Sequence, residues 1–250
     1  MRHILLITTG GTIACRDSGH GLAPALTAED LLAAVPSVTR VCEVTTRPLF
    51  NLDSTDMTPK EWLAVAAAIR DAYDSFDGFV ITHGTDTLAY AAATLSCLLQ
   101  HSEKPIVLTG AQLPMGVPGS DAAENLKDAF AWALSEGARG VRIVFAGRVI
   151  RGLRARKRHT TDPDAFESVG CPDTALIHDG QIIRYSVCDA EGNQVASTEG
   201  EATNCARARV VCITSAMSVY FICPPKKDAT AISLAAFITQ QLLPPLRKQS

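Results

Sequence analysis

The sequence predicts an α/β fold built around a doubly wound, parallel β-sheet. Short apolar segments of strand character recur along the first 146 residues, and segments with helical periodicity lie between them. This alternation favours a parallel sheet, because each crossover between parallel strands places a helix on one face of the sheet. Capping and turn residues at the ends of these segments support the same assignment.

Five strands are predicted, at 3–8, 41–46, 78–82, 105–109 and 141–146. Thr27-Ala-Glu-Asp begins the first helix, and Thr58-Pro-Lys-Glu begins the second as a capping box with proline in the first turn. The third and fourth helices are predicted over 88–100 and 120–136, and Gly137 is placed to end the fourth. Together these elements predict a three-layer arrangement, as in flavodoxin-like and Rossmann-like sheets.

The alternation of strands and helices stops near residue 185. We therefore predict a first domain over 1–185, followed by a polar, turn-rich linker over 186–208. Residues 209–250 are too few to bury an independent core comfortably.

The composition excludes several classes of protein. With 250 residues, 47% of them hydrophobic, and a formal net charge of −3, the chain is typical of a globular protein with no general attraction to nucleic acid or anionic lipid. Its apolar runs are too short for a signal peptide or for the ~20 residues of a membrane span. The eight cysteines form no CxxC pair and no zinc spacing. We expect a cytoplasmic protein without a metal.

Polar residues follow the predicted strands, at the edge where doubly wound sheets bind ligands. The segments after the strands are Thr9-Gly-Gly-Thr12, Asp53-Ser-Thr-Asp56, His83-Gly-Thr-Asp86, Gly110-Ala-Gln and a basic run that includes Lys157. Hydroxyl and carboxylate groups should therefore converge on one edge of the sheet, together with a lysine from late in the chain.

The first two of these segments also have structural interpretations. Thr9-Gly-Gly-Thr12 can be a glycine turn with a threonine cap. The cluster 53–56 can be a set of capping residues, although Thr58 already caps the following helix, which leaves the cluster's polar groups available for a ligand. Neither GxGxxG nor the P-loop pattern occurs, so nucleotide binding has no support from the sequence.

The later segments have structural alternatives as well. Either Thr85 or Asp86 could cap the helix that starts near Thr87, and His83 is expected to be a hydrogen-bonded structural histidine. The basic run 148–159 contains no aromatic residues, so a solvated face is favoured over a nucleic-acid surface. A more specific interpretation of that run is that one lysine, Lys157, is turned toward the ligand-binding edge of the sheet.

Taken together, these segments resemble the bacterial-type L-asparaginase family, and within it the cytoplasmic type I branch. The resemblance extends from the first residue to about Val211, with the segments in the family's order and spacing. It rests on Thr8-Thr-Gly-Gly-Thr-Ile-Ala, Asp53-Ser-Thr-Asp-Met, Phe79-Val-Ile-Thr-His-Gly-Thr-Asp-Thr-Leu-Ala-Tyr, Pro105-Ile-Val-Leu-Thr-Gly-Ala-Gln and Arg151-Gly-Leu-Arg-Ala-Arg-Lys.

The resemblance implies a two-step hydrolysis of a side-chain amide, without metal or organic cofactor. Thr12 corresponds to the family's nucleophile, which forms an acyl-enzyme that water resolves. Thr85 and Asp86 correspond to two members of a polar triad whose third member is Lys157. Both also belong to the substrate-binding set, in which Asp86 holds the ammonium group of the substrate. We therefore expect the Lys157 nitrogen to lie within hydrogen-bonding distance of Thr85.

Further substrate contacts are implied by the same resemblance. Asp53, Ser54 and Thr55 correspond to the segment that holds the backbone end of the substrate. The glycine turns at Gly11 and Gly84 can present backbone N–H groups to a developing oxyanion. A threonine hydroxyl is a poor nucleophile unless a base removes its proton, which agrees with the role implied for the triad.

The expected substrate is L-asparagine, with weaker use of L-glutamine left open. The alternative is a catalytically inactive amino-acid-binding or interaction module of the same fold. Leu22 stands where several family members have a tyrosine, and the sequence after about Val211 departs from the family. The resemblance implies that 1–185 is the catalytic domain and that 209–250 is the truncated or diverged remnant of the family's second, smaller α/β domain. Members form homodimers and homotetramers, and the resemblance implies such an oligomer here, although much of that interface lies in the second domain.

Overall fold

A computed structural model of the chain describes residues 1–17 and 22–185, together with the backbone of four short strands further along. The chain forms two units, Met1–Tyr185 and Ser186–Ser250. The strands of the first unit are β1 (His3–Gly10), β2 (Cys15–Asp17), β3 (Leu22–Pro24), β4 (Glu43–Leu52), β5 (Gly78–Thr82), β6 (Pro105–Thr109), β7 (Gly140–Phe145), β8 (Arg148–Arg151), β9 (Ala155–Lys157), β10 (Phe166–Ser168), β11 (Ala175–His178) and β12 (Gln181–Arg184). Its helices are α1 (Ala28–Ala33), α2 (Pro36–Thr39), α3 (Pro59–Ala72), α4 (Leu88–Leu98) and α5 (Ala122–Leu134).

The central sheet has eight strands in the order β12-β11-β8-β7-β6-β5-β1-β4. Five neighbouring strands are parallel to one another, which confirms the predicted α/β class. In sheet order they are β4, β1, β5, β6 and β7. The sheet is nevertheless mixed, because β8, β11 and β12 extend it in antiparallel fashion. The reversal occurs at Ala146 and Gly147, whose φ angles of 49° and 72° suit a two-residue hairpin turn.

The strand β4 is longer than predicted, because its ten residues continue past Pro48. It lies at the edge of the sheet and pairs with β1 alone. Proline cannot donate a ladder hydrogen bond, but an edge strand tolerates it because one side of the strand has no neighbour. The extension carries the chain directly to Leu52, which pairs with Gly10 at the end of β1.

Different helices cover the two faces of the sheet. Neighbouring residues of a strand point to opposite faces. Leu6, Val80 and Val107 lie in one buried cluster with residues of α1, α2 and α5. The helices α3 and α4 pack together, and α4 contacts β6 and β7 through residues outside that cluster. The sheet is therefore enclosed between two helical layers, as the sequence predicts.

The predicted helix starts at Thr27 and Thr58 are both confirmed. Each threonine is the N-cap of a capping box, in which its side chain accepts from a backbone N–H and an acidic residue bonds back. The partners are Asp30 for Thr27 and Glu61 for Thr58. Such caps satisfy backbone donors that the first helical turn leaves unpaired.

Asp128 is a buried carboxylic acid on α5, with an exposed fraction of 5%. Its pKa is raised from 3.8 to about 7, first by burial and second by the charge of Glu124, against an opposing effect of Lys127. In the folded state the Asp128 carboxyl group therefore stays protonated up to about pH 7, whereas in the unfolded chain it ionises above about pH 4. Stability should therefore fall as the pH rises from about 4 to about 7.

We expect Asp128→Asn to be more stable than the unmodified protein at pH 8, by on the order of 1–3 kcal/mol, because asparagine buries no charge. The difference should nearly vanish at pH 4. Urea unfolding at both pH values measures it. Asp71→Asn is the matched control, since it makes the same substitution at an exposed residue of α3, and it should change stability by less than about 0.5 kcal/mol at both pH values. An equal difference at both pH values would contradict the raised pKa.

The second unit is described only as backbone pairs. Val187–Cys188 pairs antiparallel with Gln194–Val195, and Arg209–Ile213 pairs antiparallel with Ser218–Ile222. The remainder of the predicted linker and remnant lies outside the described residues, so those assignments stay predictions. Within the part of the chain that is described, we find no helix with the length and apolar character needed to cross a membrane.

Candidate active site

Three turns meet at the carboxyl ends of the parallel strands. A Cβ atom added to Gly11 would lie 2.4 Å from both the Cα and the nitrogen of Gly84. One added to Gly84 would lie 2.6 Å from the Cβ of Ser54. The backbones therefore touch where only glycine fits. This contact brings together the turns that carry Thr12 and Thr85.

Thr12 begins a short 3-10 helix directly after β1 and is half-buried. The residue before it, Gly11, has φ 80° and ψ 174°, a conformation that is essentially restricted to glycine. The backbone N–H of Gly11 donates to the carbonyl oxygen of Leu52 at 3.0 Å. This N–H is therefore already bonded across the β1–β4 pair, and a contact of Gly11 with a substrate stays a prediction.

The segment 53–55 has both a structural task and an exposed surface. The Asp53 carboxylate accepts bonds from the backbone nitrogen and the hydroxyl of Thr55, each at 2.8 Å. These two groups are therefore not free, and the capping interpretation holds for them. Ser54 is buried against Gly84, whereas Asp53 and Thr55 are exposed. Their contact with a substrate stays a prediction.

The side chains of Thr85, Asp86 and Lys157 lie together. The Lys157 Nζ donates to Thr85 Oγ1 at 2.8 Å and to Asp86 Oδ1 at 2.7 Å. Thr85 is buried and the Lys157 side chain is 15% exposed, while the Asp86 side chain is 56% exposed. The distance expected between Lys157 and Thr85 is thus present, across 72 residues of sequence.

The helix-capping alternative for this segment is wrong. Thr87 is the N-cap residue of α4, and within the described residues no side chain caps that helix. The Thr87 hydroxyl instead donates to the carbonyl oxygen of Ser54 at 2.8 Å. Thr85 and Asp86 are directed to Lys157, which a capping role would not require.

The hairpin of β9 and β10 carries Lys157 to this edge. Lys157 pairs with Phe166, a fully buried residue that packs edge-on against Phe145 with ring centroids 4.9 Å apart. Arg156 and Arg158 flank Lys157 and project to the opposite side of the strand, as successive residues must. Because Phe166 is buried and pairs with Lys157, Lys157 is the one of the three basic residues whose side chain lies on the buried side of the hairpin.

Three other charges of the basic run are paired with carboxylates. Arg148 bonds to Asp173 at 2.8 Å and to Asp164 at 3.3 Å. Arg156 and Arg158 both form ion pairs with Glu167. A surface that binds nucleic acid needs basic side chains available for phosphates. These pairs favour the solvated face that the sequence suggests.

Gln112 belongs to the site, although no role is predicted for it from the sequence. Its Oε1 accepts from the Thr85 hydroxyl at 3.1 Å. Its Nε2 donates to the carbonyl oxygens of Thr160 and Asp162 at 2.9 and 3.1 Å. Its position directly after β6 is the one feature of the sequence that could have identified it.

His83 is a structural residue, in agreement with its sequence interpretation. It is 1% exposed, and its Nδ1 lies 2.8 Å from the carbonyl oxygen of Gly84. Burial lowers the pKa of this imidazole from 6.5 to about 4, against the opposing effect of the bond to Gly84. The neutral ring therefore donates from Nδ1 and helps to hold the Gly84 turn.

The arrangement suits proton transfer at a hydroxyl. A buried threonine oxygen lies beside an amine that can exchange a proton, and an exposed carboxylate lies next to both. A second threonine hydroxyl belongs to the neighbouring turn at Thr12. Within residues 1–17 and 22–185, no group of three or more His, Cys, Asp or Glu side chains could hold a metal ion.

Comparison with known proteins identifies the family. The family model described as "Asparaginase, N-terminal" matches residues 3–187. The chain belongs to the asparaginase family. This confirms the resemblance that the strand-end segments indicate.

Several curated relatives match the chain. L-asparaginase of Thermococcus kodakarensis is 38% identical over 182 residues, which are 72% of this chain and 55% of the relative. L-asparaginase 1 of Escherichia coli is 39% identical over 180 residues, covering 68% and 52%. A glutamyl-tRNA(Gln) amidotransferase subunit of Pyrococcus furiosus is 42% identical over 190 residues, covering 72% and 43%. The chain therefore spans about half the length of these relatives.

Solved asparaginase structures share the fold. The L-asparaginase from Thermococcus kodakarensis gives a TM-score of 0.66 at 35% identity, covering 77% of this chain and 58% of that one. A probable cytoplasmic L-asparaginase from Campylobacter jejuni gives 0.67 at 32% identity, covering 76% and 59%. These similarities confirm the α/β fold of the first unit.

Proposed function

We propose that the protein hydrolyses the side-chain amide of L-asparagine to L-aspartate and ammonia, through an acyl-enzyme on Thr12. The observation that carries the proposal is the pair of short bonds from Lys157 to Thr85 and Asp86. A lysine that spans 72 residues to reach a buried hydroxyl supports a chemical role more than a stabilising one. Membership of the asparaginase family supports the same reaction class.

In the proposed reaction, the Thr12 oxygen attacks the amide carbon and gives its proton to the Thr85 oxygen, while Thr85 passes its own proton to Lys157, which takes part as the neutral amine. The tetrahedral intermediate collapses, the C–N bond breaks, and ammonia leaves with a proton from the same pair of residues. Water then attacks the ester on Thr12, releasing L-aspartate and restoring the hydroxyl. Each step moves one proton, which a lysine–threonine pair can accept and return.

Substrate binding in this proposal relies on fixed charges and short polar groups. The exposed side of Asp86 attracts the ammonium group of the amino acid, with one carboxylate oxygen already committed to Lys157. Asp53, Ser54 and Thr55 hold the backbone end. Because Asp53 and Thr55 are bonded to each other, their geometry exists before the substrate arrives, which lowers the ordering cost on binding.

The test is ammonia release from L-asparagine by the purified protein, with L-glutamine and D-asparagine as comparisons. Added hydroxylamine should trap the acyl-enzyme as the hydroxamate of aspartate. Release of ammonia without formation of the hydroxamate would argue against a covalent intermediate. It would still support hydrolysis of the amide. Binding of L-asparagine in calorimetry without any release would favour the alternative, an inactive amino-acid-binding module.

A second candidate comes from the relatives that are glutamyl-tRNA(Gln) amidotransferase subunits. In that case, the same amide hydrolysis would supply ammonia for transfer rather than for release. A preference for L-glutamine over L-asparagine, with turnover that rises when glutamyl-tRNA(Gln) and partner subunits are added, would favour it. Turnover of L-asparagine by the protein alone would favour the first candidate.

The assembly state and location are also proposals. A homodimer or homotetramer follows from the asparaginase family, and gel filtration with light scattering measures it directly. A monomer with full activity would show that the site needs no neighbouring subunit. A cytoplasmic location is supported by the similarity to the probable cytoplasmic L-asparaginase of Campylobacter jejuni and stays a prediction.

A further inference from the structure

Gln112 links the hydroxyl of Thr85 to the segment that follows Lys157. Its amide oxygen accepts a hydrogen bond from the Thr85 hydroxyl at 3.1 Å, and its amide nitrogen donates to the carbonyl oxygens of residues 160 and 162. Lys157 in turn donates to Thr85 at 2.8 Å. The four contacts close a ring that runs from Lys157 through Thr85 and Gln112 to the loop after Lys157.

The hydrogen-bond directions in this ring follow from the chemistry of its members. Backbone carbonyl oxygens can only accept, so the amide nitrogen of Gln112 must face residues 160 and 162. The amide oxygen therefore faces Thr85, whose single proton must point toward it. Lys157 donates to Thr85 at 2.8 Å, so its nitrogen occupies a lone pair of Thr85 before the reaction. Within the described residues, one lone pair of Thr85 is left for a further donor.

The backbone of Gln112 is held independently of its side chain. Asp121 accepts hydrogen bonds from the backbone nitrogens of Gln112 and Leu113 at 3.0 Å. Asn125 donates to Asp121 at 2.9 Å and to the carbonyl oxygen of Gly110 at 3.0 Å. A change of the Gln112 side chain should therefore leave the turn after β6 in place.

We propose that Gln112 is a positioning residue for the Thr85–Lys157 pair. It holds the Thr85 oxygen beside the amine, and it keeps the Lys157 segment at a set distance by holding the loop that follows. The inference rests on the proposed amide hydrolysis, because it assigns Gln112 to the proton-transfer step and not to substrate binding. Misplacing a reacting group by about 1 Å can cost about a hundredfold in rate.

The first test replaces Gln112 with methionine, which has a similar length but neither the amide acceptor nor its donors. We expect kcat for L-asparagine to fall about 10- to 100-fold while KM changes less than about threefold. Gln100→Met is the matched control, since Gln100 is exposed and its amide donates only to the nearby Cys97 carbonyl. It should leave both constants unchanged. An unchanged kcat in Gln112→Met, or a loss confined to KM, would overturn the proposal.

A second test asks whether Gln112 acts through Thr85. In a Thr85→Val background, adding Gln112→Met should reduce turnover by less than about twofold, because the hydroxyl that Gln112 holds is already gone. A purely structural role would instead give losses that multiply. Equal losses in the two backgrounds would contradict positioning through Thr85.

A third measurement separates this inference from the proposed function. Limiting acetic anhydride labels lysines according to their availability, and mass spectrometry reads the labelling of Lys157. We expect labelling of Lys157 to rise at least about threefold in Gln112→Met, because the contact between Thr85 and Lys157 becomes less stable there. Labelling should not change in Gln100→Met. This readout needs no turnover. A protein that releases no ammonia would refute the proposed function, while unchanged labelling would refute the role of Gln112.

Discussion

Replacing Thr12 with alanine or Thr85 with valine is expected to reduce ammonia release from L-asparagine at least about a thousandfold, near the upper range for loss of a positioned proton-transfer group. The first change removes the proposed nucleophile. The second removes the hydroxyl that lies 2.8 Å from Lys157 but keeps the shape of the side chain. Single-turnover assays at saturating substrate measure the loss, and urea unfolding checks that each variant is folded.

Thr82→Val is the matched control for Thr85→Val. Thr82 is fully buried at the end of β5, the strand that precedes the turn with Thr85, and within the described part of the chain its hydroxyl has no hydrogen-bond partner. Valine at 82 should keep turnover and raise stability by about 1 kcal/mol, because a buried hydroxyl without a partner is unfavourable. If Thr85→Val and the control variant both kept full turnover, Thr85 would have no role in the reaction.

The second large effect concerns the contact between the two glycine turns. We expect Gly11→Ala to lower the free energy of unfolding by more than about 3 kcal/mol and to abolish turnover. The backbone at Gly11 has a conformation that costs other residues about 1–3 kcal/mol. In addition, the new methyl group would lie 2.4 Å from backbone atoms of Gly84, and no side-chain rotation can relieve that overlap. Thermal and urea unfolding measure the loss.

Gly116→Ala separates the two causes of that loss. Gly116 has a φ of 87°, close to that of Gly11, but among the described residues nothing lies within 4 Å of an added methyl group. Its replacement should cost only the conformational part, on the order of 1 kcal/mol. Similar losses at both glycines would show that the Gly11–Gly84 contact contributes little to stability.

Much of the fold could be predicted because its signals are local. The capping boxes at Thr27 and Thr58 depend on residues three positions apart, and the buried strands β5 and β6 are continuous apolar runs. The antiparallel strands β8, β11 and β12 could not be predicted in this way. They are four residues long and carry polar or charged residues at their ends, so that β8 resembles the start of a basic surface run. Only its pairing with neighbouring strands defines it as a strand.

The candidate site was predictable to the extent that its residues occur in recognisable segments. Thr12, Thr85 and Lys157 follow from motifs, and the contact between the last two is present in the structure. The position of Gln112 at the sheet edge could be predicted, but its role could not, since two of its partners are backbone carbonyls of a loop 48 and 50 residues away, and residue types do not reveal such contacts. The commitment of the Gly11 N–H to Leu52 was hidden for the same reason.

The separation between Thr85 and Lys157 has a consequence for protein synthesis. A ribosome that adds about 5–20 residues per second needs on the order of 4–14 s to make the 72 residues between them. The parallel strands β1, β4 and β5 are translated before that interval and β6 and β7 within it, but the amine that completes the polar cluster is added only at its end. The cluster of Thr85, Asp86 and Lys157 is therefore completed only after the bulk of the sheet has been translated.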